Sequence, residues 1–118
     1  MRRTLIATVS LLLTLHTARA LDKNNEGMVY GAGMRSCEAY TSARKSNTDA
    51  SFSEWLSGYL SATNYYISDT YDIEGQTDLS GDFSWLDNWC EANSAKPFST
   101  AASELVMYLY PSRVKQNR

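Results

Sequence analysis

The 118-residue sequence is poor in the groups that most often carry out chemistry: it has one histidine, His16, two cysteines and two prolines. Between Lys45 and Lys96 it has no basic residue at all. Beyond residue 20 no apolar run approaches the roughly 20 residues that a membrane-spanning helix needs. Each absence excludes something. With no histidine beyond position 16 and no CxxC pair, residues 21–118 can assemble neither a histidine-activated triad nor a thioredoxin-like redox motif. Two thiols are also too few to hold a structural zinc ion. Without a basic face, binding to nucleic acid loses the charge neutralisation on which it depends.

The start of the chain carries more information. It opens MRR, continues LIATVSLLLTL and reaches Ala18, Arg19 and Ala20, which supply the charged, apolar and small-residue parts of a secretory signal peptide. Residues 1–20 are therefore expected to be a cleaved leader, leaving a periplasmic or secreted chain without a membrane span. His16, Arg2, Arg3 and Arg19 leave with it, so 8 of the 11 basic residues remain against 13 acidic ones, a side-chain charge of about −5. An even cysteine pair in an exported chain reads as one disulfide, Cys37 to Cys90. Closing a loop of that length restricts the unfolded chain by roughly 4 kcal/mol on the chain-entropy account. So small a domain needs such a staple.

Four helices follow from periodicity and stop signals. Residues 21–33, polar and without period, read as a mobile N-terminal arm. The first helix is expected over about 34–45, with Cys37 and Tyr40 facing inward. Ser51 and Glu54 form a capping-box pattern for the second, which should run to about Ser68 with Trp55 and Tyr59 on its apolar stripe. Gly58 and Ala62, four residues apart, suggest a face where another helix comes close. Asp82 is the expected cap of the third helix, where Trp89 and Cys90 share a face. Pro97 opens the fourth and Pro111 ends it, leaving a basic, frayed tail over 111–118. The fold class is all-α: a compact domain of four main helices over 34–110 with one disulfide.

The basic-free stretch holds nine acids, and Asp69, Asp72, Glu74, Asp78, Asp82 and Asp87 make a candidate acidic binding or pH-responsive face. A calcium loop does not fit. Aligning Asp72, Glu74, Gly75 and Asp78 with an EF-hand puts Thr70 and Gly81 at its first and last ligand positions. No metal or cofactor is expected. Ser57 and Ser61 lack a nucleophile elbow, and paired carboxylates such as Asp82 and Asp87 are the one enzymatic alternative, so the chain reads as a non-enzyme. Its surplus of tryptophan and tyrosine instead suits a surface that binds other proteins.

Ser36-Cys37-Glu38-Ala39-Tyr40, GYLSATN at Gly58 to Asn64, and WLDNWCEAN leading into Phe98 together resemble the HdeA/HdeB family of small periplasmic acid-stress chaperones. The likeness covers residues 34–109. It implies an all-helical domain with a Cys37 to Cys90 disulfide, and a homodimer that dissociates and partly unfolds in acid to hold unfolded clients. A second resemblance is to Tai-type periplasmic immunity proteins. It implies a partner of another kind, a basic cell-wall amidase toxin that the acidic run would meet.

Overall fold

In the computed structural model, which describes residues 21–116, Ser36 turns the chain into its first helix. Its hydroxyl accepts the Ala39 amide at 3.1 Å, and α1 (Cys37–Lys45) follows. Three further helices succeed it: α2 (Ala50–Tyr66), α3 (Leu79–Ala92) and α4 (Phe98–Leu109). Among the described residues there is no strand, only the isolated bridges Ser36–Pro97 and Asp72–Val114. The all-helical expectation therefore holds. The expected signal peptide, residues 1–20, lies outside the described residues.

The helices pack around an aromatic centre that the periodicity set up. Tyr40 of α1 stacks on Phe98 of α4 with ring centroids 4.8 Å apart, and Phe52 of α2 meets both rings edge-on at 5.4 and 5.0 Å. All three side chains are fully buried, as are Leu56, Leu86 and Leu105 around them. Fully burying a side chain of this size is worth roughly 1.5–3 kcal/mol, so these rings provide much of the drive to fold. The disulfide between Cys37 and Cys90 ties α1 to α3 beside this centre, with a Cα separation of 4.8 Å. The staple thus ties α3 to the α1, α2 and α4 that meet at the aromatic centre.

Several boundaries differ from expectation, each for a local reason. α1 starts at Cys37 because residues 31–34 form their own 3-10 turn. That turn is packed: Ala32 and Gly33, assigned above to a mobile arm, are buried against Trp55, whose Nε1 donates to the Tyr30 carbonyl at 2.7 Å. α2 starts earlier than the capping box implied, with Asp49 at its cap and Ser51 already inside the first turn. α3 begins three residues before Asp82, because Asp78 does the capping and accepts the Gly81 amide at 2.9 Å. Pro97 stands at the cap of α4 rather than inside its first turn.

The C-terminal tail is also more ordered than a frayed end. After a 3-10 turn at Tyr110–Ser112, Val114 exchanges backbone hydrogen bonds with Asp72 at 2.8 and 3.0 Å and accepts another from Tyr71. The tail therefore clasps the connection between α2 and α3. Ile73, the one aliphatic residue between Thr70 and Thr77, is fully buried and anchors that connection, with its amide donating to Asn64 Oδ1 at 2.7 Å.

Candidate functional site

The six candidate acids do not form one face. Asp69 turns to the tail, where Lys115 Nζ lies at 3.2 Å and the Arg113 guanidinium at 3.7 Å. Asp87 turns the other way, to α1. The Arg44 guanidinium grips both its oxygens, Nε to Oδ1 at 2.9 Å and Nη2 to Oδ2 at 2.8 Å, and also reaches Asp49 at 3.2 Å. The Tyr40 hydroxyl donates to the same Asp87 Oδ1 at 2.7 Å. Burial works against charge on Asp87, but the Arg44 hydrogen bonds, then Tyr40, outweigh it and hold the carboxyl below its ordinary range. Burial and the neighbouring Asp87 carboxylate push the Tyr40 phenol well up.

The other four acids do converge. Asp72, Glu74 and Asp78 surround Asp82, which sits in the first turn of α3 and is fully buried. Neither Asp82 oxygen receives a hydrogen bond from any described group. Burial first, then the hydrogen bond that only a protonated Asp82 can make to the Glu74 carboxyl, and the charges of Glu74, Asp78 and Asp72, push Asp82 up to about 7. Asp72 and Glu74 also line a cleft of about 190 Å³ with Ser57, Leu60, Ser61, Asn64 and Leu79. No group of three or more cysteine or carboxylate ligands among the described residues is placed to hold a metal ion. The pairing of Asp82 with Asp87 that the enzymatic alternative would use does not form, since one faces Glu74 and the other Arg44.

The residues expected to pack the second helix divide by face. Trp55 and Tyr59 are partly buried against the core and stack on each other at 5.2 Å, and Trp89 packs there from α3. Gly58 and Ala62 instead face solvent, and a side chain at Gly58 would meet nothing within 4 Å. Phe52, Leu56, Leu60 and Thr63 define the buried stripe of α2, which leaves Gly58 on the far side. The close approach falls at Gly33, where a methyl group would collide with the Trp55 indole.

A further surface emerges on α3 and α4. Trp85 stacks on Tyr108 at 5.6 Å and on Trp89 at 6.5 Å, with Met107 exposed beside Tyr108 in the sequence. Tyr65 and Tyr66 are 88 % exposed at the end of α2. So much outward aromatic area is not needed for a core and is available for contact. The i, i+4 pair Trp85 and Trp89 was visible in the sequence, whereas its continuation onto Tyr108 depends on how α3 and α4 pack.

No protein-family model, curated protein or solved structure matches the chain. The disulfide is consistent with an oxidising, exported compartment. No described helix is long and apolar enough to cross a membrane.

Proposed function

We propose that this chain is an exported, non-enzymatic protein-binding domain of HdeA-like character, an acid-stress chaperone of the periplasm that holds unfolded clients. The observation that carries the reading is the exposed Tyr108, continued by the half-buried Trp85 and Trp89 stacked beside it, on a small, acidic, disulfide-stapled domain. Aromatic side chains offer large contact area at low entropic cost, which suits partners without a fixed shape.

Acid supplies the trigger. Below the carboxylate range, near pH 4, the side-chain charge of the processed chain passes from about −5 to about +8, and self-repulsion loosens the fold. Protonation of Asp87 then releases Arg44 and Tyr40 from α3, while the disulfide keeps the chain from expanding fully. The buried rings of Phe52 and Phe98 join the exposed surface.

A basic toxin as partner has less support, because Asp69 and Asp87 are already paired and Asp82 is buried. Light scattering by an aggregating client at about pH 2–3 tests the reading. Protection by the chain that weakens in Trp85→Ala and Tyr108→Ser variants is the expected result. No protection by the wild-type chain would overturn it.

A further inference from the structure

We propose that Asp82 and Glu74 share one proton in the folded protein, and that this proton closes the connection between α2 and α3 onto the helices. Asp82 is fully buried, yet neither of its oxygens finds a donor. A buried carboxylate without a donor or a cation is costly, and the side chain that acts on it most strongly, the Glu74 carboxylate, is another acceptor. One proton between the two supplies the missing hydrogen bond and removes one of two adjacent charges. It is the arrangement of any close carboxyl pair that cannot ionise twice.

The surroundings give the pair no other relief. From the connection, Asp72 and Asp78 add negative charge, and Asp78 is occupied in capping α3. From α2, the cleft shared with Glu74 presents Ser57, Ser61 and Asn64, all uncharged, and Asn64 is committed to the Ile73 amide. From the tail, Arg113 and Lys115 are directed to Asp69. The amino end of α3 contributes its partial positive charge, but the Gly81 amide there already serves Asp78 and the Asp82 amide the Asp78 carbonyl.

Losing the proton therefore places two like charges in contact inside the fold, beside Asp72 and Asp78. The connection is the part able to yield. It is held by Ile73, by the Asp72–Val114 bridge and by Gly75, whose φ of +64° brings it against the Ser112 carbonyl. As pH rises through neutrality this segment loosens. As pH falls it closes, so the domain gains stability through mild acid, before the Asp87 contacts fail in strong acid.

The test uses the full chain and three variants: Asp82→Asn, Glu74→Gln and the control Asp72→Asn. For wild type the thermal midpoint should fall by roughly 5–10 °C between pH 5.5 and pH 8, and for Asp82→Asn it should stay nearly flat. Carbon NMR of the Asp82 carboxyl should show a titration midpoint near neutrality that moves down in Glu74→Gln, where an amide donor replaces the second carboxyl. Asp72→Asn should keep the wild-type profile. Should Asp82→Asn fail to fold, the wild-type NMR titration and Glu74→Gln decide alone. An Asp82 carboxyl already ionised at pH 5.5 would overturn the proposal, as would identical profiles for wild type and Asp82→Asn. A rise in the wild-type midpoint on adding calcium chloride at pH 7.5, absent in Asp82→Asn, would also overturn it by making the pair a cation site. None of these readouts depends on client binding, so failure here and failure of the chaperone reading are separable.

Discussion

The Tyr40 hydroxyl donates to Asp87 at 2.7 Å across the interface of α1 and α3, in the same pair of helices that the disulfide joins. Arg44 grips that carboxylate from the side, with its guanidinium also 5.1 Å above the Phe83 ring. A buried phenol, a forked guanidinium and an aromatic face thus depend on one acid. Asp87→Asn keeps the shape and an acceptor for Tyr40 but removes the charge. It should destabilise the protein by roughly 1–2 kcal/mol near pH 7, a figure kept low because the pair is partly exposed. The sign with pH follows from the lowered Asp87 carboxyl. Its contribution is present above the ordinary carboxylate value near 4 and is lost as pH falls through the folded one. Wild type and variant should therefore converge in stability towards pH 2, as measured by urea unfolding at each pH.

The disulfide acts on the same two helices through the unfolded chain. Its cysteines are 53 positions apart, so opening the bond should cost roughly 4 kcal/mol, a large share of the stability of a domain this small. Denaturant unfolding of a Cys37→Ser and Cys90→Ser double variant checks this. The expected result is a far lower midpoint, and in acid a chain that expands fully instead of loosening.

Much of this architecture could be read from the sequence, because large side chains recur at helical spacing: Phe52, Leu56 and Leu60 in one helix, Phe98, Ala102, Leu105 and Leu109 in another. The cysteine pair was equally plain. What could not be read depends on packing between segments distant in the chain. Asp78 and Asp82 are equally good caps on paper, and only the fold sends one to the surface and the other into the core. Arg44 gave no signal of its own, since Asp87 lies 43 residues away. Gly58 and Ala62 misled because small residues mark a close contact only when the large residues around them point the same way.

Two glycine substitutions separate these cases. Gly58→Ala places a methyl group in open space on an exposed helix face and should stabilise the protein by about 0.5–1 kcal/mol through helix propensity. Gly33→Ala drives a methyl group into the Trp55 indole and should destabilise it by about 1–3 kcal/mol. Chemical denaturation of both variants should give opposite shifts if the close approach lies at Gly33 and not at Gly58. Equal effects would contradict it.

The tail clasp can be tested by removing it. Truncation after Ser112 deletes the Val114 pairing with Tyr71 and Asp72 together with the Arg113 and Lys115 contacts to Asp69. The connection would then be held by Ile73 and Asn64 alone on that side. Amide hydrogen exchange should rise at Tyr71 and Asp72 and stay slow in α1 and α4, because the aromatic centre of Tyr40, Phe52 and Phe98 is untouched. Global stability should fall by only about 1–2 kcal/mol, the value of a few partly exposed hydrogen bonds. Unchanged exchange at Tyr71 and Asp72 would mean that the acidic connection holds its place without the tail, and that Ile73 is its sufficient anchor.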